Sequence, residues 1–354
     1  MKNFFLSAGI LLASLSVLSS CQKNMLGLSE EVDAKVCQLS VCLGPQTKVV
    51  DQTESAEKMI NDVQVFVFNK ATGKLDASVH NAAVSATGTY RLPEALSCTR
   101  GPREVWAVVN APVNYVDGAD ADRVTSLNQL KAITTSLTDN SPSNLIMVGY
   151  ADKELTQASE AITVDVKRIC AAVVLKSVKN EMAVPAYSVD GAVKITGAYL
   201  LNVPSEQNYA LGIASSTLGQ AKWISSSSKT ADAAAKALTV DSYAPEIQTV
   251  NKGGTFPKVS TFYAYPNSCP DLPVNVWRPS VTTLVVEATV AGQDCIYPIR
   301  LGELKSNYKY EVSLTLKHIG GDPSNPWKKV EFTDLGASIT VVDWTSGTPV
   351  SETI

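Results

Sequence analysis

Histidine is almost absent from this sequence. Its 354 residues include only His80 and His318, which lie far apart along the chain. A zinc site built from several histidines, or a nucleophilic triad with a histidine base, is therefore not indicated. The 34 acidic residues form no recognisable catalytic motif. The sequence predicts no catalytic residue, no metal ligand and no cofactor, and we expect that the chain is not an enzyme.

Charge and long apolar runs are also scarce. Charged residues make up 18% of the chain and the net charge is −4, so binding to nucleic acid is not expected. Beyond the N-terminus, no apolar segment approaches the ~20 residues that a membrane-spanning helix needs. The length of 354 residues favours two domains over one.

The first twenty residues have the pattern of an export signal. Lys2 is followed by an apolar run from Phe4 to Leu18, and the pair Ser19–Ser20 precedes Cys21. That run is typical of a signal-peptide core and short for a membrane span. The pattern Leu-x-x-Cys resembles the lipobox of bacterial lipoproteins. The resemblance implies cleavage before Cys21 and attachment of acyl chains, such as palmitate, to that residue. An ordinary signal peptide, cut at another small residue, is the alternative.

Six further cysteines follow, and none has the spacing of a metal site. Cys37 and Cys42 lie five residues apart, so on one strand they face opposite sides and cannot bridge each other. In an oxidising compartment, a disulfide between Cys269 and Cys295 is one hypothesis, and free buried thiols are the other.

The stretch Val36–Leu43 predicts a half-buried strand, because apolar and polar residues alternate along it. Its inward-facing residues are Cys37, Leu39, Val41 and Leu43. Gly44–Pro45 ends this strand, and a polar loop from Gln46 to Asn61 follows. The loop contains Lys48 and Lys58 but no arginine.

Apolar runs and turn signals predict further strands along the chain. The main ones are Val63–Asn69, Glu104–Asn110, Thr163–Val178, Val193–Val203, Thr282–Val290, Cys295–Leu301, Tyr308–Lys317 and Ala337–Trp344. A helix is predicted over Ser126–Leu137, with Ser126 and Gln129 forming a capping box. We therefore expect a mostly β fold of two antiparallel β-sandwich domains, residues 21–160 and 161–354, with one or two short helices.

The order of these landmarks resembles that of the fimbrillins, the FimA-type major subunits of type V pili. The landmarks are VQVFVFN at Val63–Asn69, REVWAVVN at Arg103–Asn110, LNQLKAITTSL at Leu127–Leu137, NLIMVG at Asn144–Gly149, VDVKRICAAVVL at Val164–Leu175, YPN at Tyr265–Asn267, SNYKYEVSLTL at Ser306–Leu316, GGDPSNP at Gly320–Pro326 and ITVVDW at Ile339–Trp344. The resemblance covers nearly the whole chain. It implies two transthyretin-like sandwiches, export as an outer-membrane lipoprotein precursor, and assembly into a cell-surface pilus that serves adhesion.

The resemblance also implies proteolysis in the loop after the first strand. The family's cut follows an arginine, which this loop lacks. Lys48 is the nearest match by position, and Lys58 is the other basic candidate. A cut there would leave the strand Val36–Leu43 held only by its ladder and its inward side chains.

We expect strand exchange to join such subunits. The donor candidate is the C-terminal strand at residues 338–344, with Ile339, Val341, Asp343 and Trp344. It would fill the groove that the first strand leaves in the next subunit, and head-to-tail insertion would give a filament. The alternative is that this strand pairs within its own domain. The expected partners are copies of this chain, other pilus subunits and, through the lipid, the outer membrane.

Three other functions are weighed against a stalk subunit. A tip or minor pilin is one, a surface glycan-binding lipoprotein is the second and a secreted hydrolase is the third. Glycan binding needs exposed aromatic platforms. Trp106 and Trp344 lie in strand patterns and are predicted to be core residues. Trp223, Trp277 and Trp327 lie near loops, where packing is favoured over sugar binding.

Overall fold

A computed structural model of the protein describes residues 35–44, 56–119, 122–224, 248–255, 260–272, 278–327 and 336–343. Numbered in chain order, its strands are β1 (Val36–Leu43), β2 (Met59–Ile60), β3 (Val63–Asn69), β4 (Leu75–Asn81), β5 (Ala86–Thr87), β6 (Tyr90–Arg91), β7 (Leu96–Thr99), β8 (Gly101–Val109), β9 (Thr134–Ser136), β10 (Met147–Leu155), β11 (Ser159–Val164), β12 (Lys167–Arg168), β13 (Ala171–Asn180), β14 (Val193–Leu201), β15 (Val203–Pro204), β16 (Glu206–Asn208), β17 (Trp223–Ile224), β18 (Gln248–Thr249), β19 (Ser260–Ala264), β20 (Thr283–Val290), β21 (Gln293–Arg300), β22 (Tyr308–Leu316) and β23 (Gly336–Asp343).

Within the described residues, helical structure is limited to short segments. The α-helices are α1 (Leu127–Ala132) and α2 (Pro185–Ser188), and single 3-10 turns occur at Ala56–Lys58, Leu137–Asp139, Ser215–Thr217 and Gln220–Lys222. None of the helices in the described ranges is long and apolar enough to cross a membrane. The predicted mostly β fold is confirmed.

The first sandwich consists of two sheets. In one, β1 lies between β11 on one side and β6 and β7 on the other. The second has the order β12-β10-β8-β3-β4. Between the sheets, the inward side chains of β1 pack on those of β3 and β8, with valines predominating. These valines recur at every second position, because side chains along a strand alternate between its two faces.

The second sandwich repeats this plan with sheets of order β19-β13-β22-β23 and β18-β14-β20-β21. The predicted hairpin between β20 and β21 is present, and β22 buries alternate residues as expected. Most ladders are antiparallel. Among the described residues two ladders are parallel, β1 with β11 and β13 with β22, so in each sandwich the first strand pairs with a late one.

The two sandwiches share a continuous apolar core. It extends from the outer face of β3 and β8, which presents Phe66 and Trp106, through Leu130 of α1 to the second sandwich. Short strands also join the units, since β9 pairs with β16. At this junction the Tyr265 hydroxyl donates to the Ser136 carbonyl at 3.0 Å. The contact is therefore both apolar and hydrogen-bonded.

The predicted helix over Ser126–Leu137 is correct at its start and too long at its end. Ser126 and Gln129 form the expected capping box. The helix ends at Ala132, because Thr134–Ser136 leaves it to form β9 against the second sandwich. Two threonines and a serine favour that extended backbone.

The single long strand predicted over Thr163–Val178 is wrong. The structure divides this stretch into β11, β12 and β13, each in a different sheet. One close contact accompanies the first break: a Cβ added at Gly149 of β10 would lie 2.2 Å from the Asp165 carbonyl oxygen. The first sandwich consequently continues past the division predicted at residue 160, since β11 pairs with β1 and β12 with β10.

Candidate functional site

The site suggested by the sequence is β1 together with the strands on either side of it. Along β1, Cys37, Leu39, Val41 and Leu43 are at most 1% exposed. Gln38, on the opposite face, is exposed. The predicted alternation is therefore confirmed, and one face of β1 supplies its apolar contacts with the sandwich interior.

The backbone of β1 is paired on both sides. Six residues of β1 are in parallel register with β11, from Gln38 opposite Ser159 to Leu43 opposite Val164. On the other side, four residues are paired with β7 and two with β6, all antiparallel. If β1 left, it would expose an apolar floor and two facing rows of backbone donors and acceptors. Such groups are costly to leave unpaired and form a binding surface for another strand.

The β7 wall of this groove is fixed by contacts that do not involve β1. Asp76 of β4 accepts hydrogen bonds from the Thr99 amide at 2.9 Å and the Thr99 hydroxyl at 3.0 Å. The same carboxylate accepts from Arg103 Nε at 2.8 Å, and the Arg103 side chain is only 3% exposed. A buried and paired arginine therefore holds β7 against the opposite sheet.

The β11 wall is fixed independently as well. Glu160 accepts hydrogen bonds from the amides of Thr156 at 2.7 Å and Gln157 at 3.0 Å. Lys153 of β10 lies 3.1 Å from the same carboxylate. These backbone amides, with Lys153, lower the pKa of Glu160 to about 2, so it is ionised at neutral pH. Both walls are thus tied to strands other than β1.

Of the two predicted processing residues, Lys58 is described and Lys48 lies outside the described residues. Lys58 ends a 3-10 turn, and its carbonyl accepts from the Gly88 amide at 3.4 Å. Its neighbour Glu57 is buried and accepts from the Tyr263 hydroxyl at 2.9 Å. Arg168 donates to the Glu57 carbonyl at 2.8 Å. The segment around Lys58 is therefore hydrogen-bonded to both sandwiches, through Gly88 and Arg168 in the first and Tyr263 in the second.

The predicted donor segment forms β23, at the edge of its sheet. All eight of its residues are in antiparallel register with β22, as the alternative reading expected. Val341 is 2% exposed and Ile339 is half-buried on the same face, whereas Thr340 is exposed. Asp343 is the last residue of β23, and Trp344 lies outside the described residues. In the single chain, the donor candidate is thus paired within its own domain.

The six cysteines in the described residues are free thiols. Burial raises the pKa of four of them: Cys37, Cys98, Cys170 and Cys295. Cys269 lies 3.5 Å from the Ser215 hydroxyl, whereas Cys295 lies 3.8 Å from the Tyr297 hydroxyl, and the structure does not join the two. Cys37 and Cys42 face opposite sides of β1, as predicted. Cys21, the predicted lipidation site, lies outside the described residues.

Aromatic platforms are not evident at the predicted tryptophans. Trp106 is buried in the core, as expected. Trp223 is 5% exposed, and Trp327 packs against the second sandwich. Trp277, like Trp344, lies outside the described residues. Reasoning from sequence missed Asp76 and Arg103, because their contact forms only in the folded sheets. It also missed Glu160, although the hydrogen bonds of Glu160 to Thr156 and Gln157 are local.

These features define a class of protein: two tandem β-sandwiches in which the first strand is central to its sheet and the last is at an edge. Residues 38–186 match the family described as the major fimbrial subunit protein (FimA). This part of the chain is therefore similar to the fimbrillin family, whose members are structural fimbrial subunits and not enzymes. A fimbrial subunit implies a place in the cell-surface pilus and other pilus subunits as partners.

Solved structures share the whole fold at low sequence identity. A cell adhesion protein of Bacteroides eggerthii is 19% identical, with a TM-score of 0.60, covering 89% of this chain and 97% of its own. The fimbrilin FimA of Porphyromonas gingivalis is 14% identical, with a TM-score of 0.59 and coverages of 89% and 99%. The tip protein Mfa3 of Porphyromonas gingivalis is 10% identical, with a TM-score of 0.50 and coverages of 87% and 100%. No curated protein sequence matches the chain.

Proposed function

We propose that this chain is a stalk subunit of a type V pilus, exported as a lipoprotein through Cys21 and polymerised by strand exchange, and that the pilus serves adhesion. One observation carries the proposal: β1 is a central strand, paired on both sides, yet each of its two walls is fixed by other contacts. The removal of β1 would therefore leave a groove that keeps its shape.

Proteolysis between β1 and β2 is the step that would free β1. Lys48 is favoured over Lys58, because proteases act on exposed chain and the residues around Lys58 are hydrogen-bonded to both sandwiches. A cut at Lys48 would leave the segment Ala56–Lys58 bound in place. After the cut, β1 would be held by its ladders and by four inward side chains.

The C-terminal segment has the properties of a donor. As an edge strand, β23 has a ladder on one side only, so its release costs fewer hydrogen bonds than the release of a central strand. Its Ile339 and Val341 recur with the period of two that matches the inward positions of β1. Each apolar side chain buried in the groove contributes about 1.5–3 kcal/mol. Insertion into the next subunit is heterologous and gives a filament.

Substitution of the inward face of β23 tests this donor. We expect deletion of residues 343–354 to give a folded, processed subunit that does not form heat-resistant polymer ladders on gels. Val341→Asp places a carboxylate at a site that is 2% exposed in its own sheet, so it should destabilise β23 and also abolish the ladders. Thr340→Asp is the matched control, because Thr340 is exposed on the same strand, and it should polymerise. Full-length pili from the Val341→Asp variant, with wild-type ladders, would contradict the proposal.

A tip or minor pilin remains the alternative within the family. The matched family is that of the major subunit, which favours the stalk. Electron microscopy of cells lacking this chain separates the two: loss of the whole filament indicates a stalk subunit, and filaments that lack only their tips indicate a tip subunit.

A further inference from the structure

Two cysteines lie opposite each other where β1 contacts the β7 wall of the groove. Cys37 of β1 is opposite Cys98 of β7 in the antiparallel ladder. Both side chains lie in the interior of the first sandwich, with Cys37 0% and Cys98 2% exposed. No other two cysteines in the described ranges share a ladder position; Cys42, for example, is opposite Arg91 and Thr163. One cysteine of the pair thus lies on the strand that strand exchange would remove, and the other lies on a strand that stays.

The ladder sets the separation of the two residues. The Arg100 amide donates to the Lys35 carbonyl at 2.8 Å, and the Leu92 amide donates to the Val41 carbonyl at 3.0 Å. The odd-numbered residues from 35 to 41 therefore form their backbone hydrogen bonds with β6 and β7. Cys37 is one of them, so Cys37 and Cys98 are a hydrogen-bonded pair of the ladder. The Cα atoms of such a pair lie about 5.5 Å apart, within the range of ~4.4–6.8 Å found for disulfides.

The separation of the two Cβ atoms is slightly larger than a disulfide prefers. The Cβ atoms of facing residues lie about 4.5–5.5 Å apart, whereas a disulfide prefers about 3.5–4.5 Å. Closing the bond therefore requires a small approach of β1 and β7. Disulfides under such constraint are reduced more easily than relaxed ones and are typically the reversible ones.

We propose that Cys37 and Cys98 form a reversible cross-strand disulfide after export, and that this bond holds β1 in place until the dithiol form of a thiol–disulfide oxidoreductase reduces it to two thiols and is itself oxidised to a disulfide. Each thiol loses a hydrogen, two protons and two electrons in all. The acceptor is the disulfide of a thiol–disulfide oxidoreductase or of a small molecule, which is reduced to two thiols. The holding role rests on the strand exchange proposed above, whereas the formation of the bond does not.

The burial of the two thiols determines when the disulfide can form. Burial raises the pKa of Cys98 to about 12, with Asp76 and Cys37 adding to the effect, and burial also raises the pKa of Cys37. The thiolate is the reactive form, so the folded pair reacts slowly. Oxidation therefore occurs while the exported chain folds. Later reduction needs local opening, for which Cys37, the second residue of β1, is well placed.

Mass spectrometry tests the bond directly. The exported full-length chain is trapped with N-ethylmaleimide, digested without reductant and searched for a peptide that joins Cys37 to Cys98. We expect this peptide in the wild type and in Cys295→Ala, a control that removes a cysteine buried equally at 2% exposure. It should be absent from Cys98→Ala and should disappear with dithiothreitol. Full alkylation of both thiols, even after treatment with oxidised glutathione, would overturn the proposal.

A separate experiment tests whether the disulfide holds β1 in place. Chains cut between residues 45 and 55 are assayed for polymer formation with and without dithiothreitol. We expect dithiothreitol to speed polymerisation at least tenfold in the wild type and to leave Cys98→Ala, which is fast in both conditions, unchanged. Equal rates for the oxidised and reduced wild type would overturn the holding role. If cut Cys98→Ala does not polymerise at all, strand exchange itself fails, and the peptide result decides the disulfide alone.

Discussion

The first strands of the two sandwiches, β1 and β13, occupy the same place in their sheets but differ in burial. On one side each pairs in parallel with a late strand, β1 with β11 and β13 with β22. On the other side each pairs antiparallel with a strand that lies between those two in sequence, β1 with β7 and β13 with β19. In β13, five consecutive residues, Ala171–Leu175, are buried, because both faces of the strand are covered. In β1, Cys37 and Leu39 are buried, but Gln38 between them is exposed.

This difference would explain why β1, and not β13, is the strand that the proposed exchange removes. A replacement for β1 has to match one apolar face and a ladder. A replacement for β13 would also have to rebuild the core shared by the two sandwiches, to which Val173 contributes. The proposed exchange would therefore require a strand that is central in its sheet yet covered on one face only.

The largest expected effect is a difference in folding between two matched substitutions, one in β13 and one in β1. Val173→Asp and Val41→Asp place the same carboxylate at sites that are 0% and 1% exposed. An unpaired buried charge costs more than about 4 kcal/mol, a large part of the ~5–15 kcal/mol of a typical domain. We expect Val173→Asp to yield no folded protein, because its core is shared. Val41→Asp should keep the melting transition of the second sandwich, measured by circular dichroism, and the loss of that transition would contradict the comparison.

The next effect concerns the wall that stays when β1 leaves. Asp76→Ala removes the carboxylate beside the buried Arg103 and should lower the free energy of unfolding by about 3–5 kcal/mol, measured in urea. The loss should be the same before and after removal of β1, because the contact belongs to β4, β7 and β8. Asp152→Ala is the control. It breaks an ion pair whose side chains are 49% and 50% exposed, so it should leave the free energy of unfolding almost unchanged.

Leu39→Ala should instead affect the precursor alone. The side chain is fully buried, so the uncut chain should lose about 2–5 kcal/mol, measured by urea unfolding. Gln38→Ala, on the exposed face of the same strand, should change this by less than about 0.5 kcal/mol. Polymers formed after processing should be equally stable in wild type and Leu39→Ala, since β1 is no longer present. A stability deficit that persists in the polymer would show that β1 is retained.

The smallest effect is a pH dependence at the β11 wall. The pKa of Glu160 is lowered from about 4.5 to about 2 by its backbone amides and Lys153. Its stabilising contribution is therefore complete above pH ~4.5 and is lost as the pH falls toward 2. We expect the melting temperature to fall more steeply over this interval in the wild type than in Glu160→Gln. Parallel curves for the two proteins would show that Glu160 does not stabilise the wall.

Local patterns were sufficient to predict much of this fold. The alternation in β1 and β22 and the capping box at Ser126 depend on neighbouring residues only, and each is confirmed. The end of α1 and the breaks between β11, β12 and β13 depend on strands distant in sequence, and these were missed. The parallel pairing of β1 with β11 is likewise long-range.

The candidate site likewise has a part that the sequence predicts and a part that it does not. The inward face of β1 was predicted from its period of two. Its walls were not, because the contacts of Asp76 with Thr99 and Arg103 span more than twenty residues. The opposition of Cys37 and Cys98 follows from strand register, which a single sequence does not specify here.

The most direct test of the account is whether β1 leaves the subunit when it polymerises. Chains with a specific protease site at residues 46–54 are cut, reduced with dithiothreitol and allowed to polymerise, and the washed polymer is denatured and analysed by intact mass spectrometry. The account predicts that the fragment carrying Val36–Leu43 is absent from the polymer and recovered in the supernatant, one for each subunit incorporated. A polymer that retains this fragment in equal amount with the body would contradict strand exchange at β1.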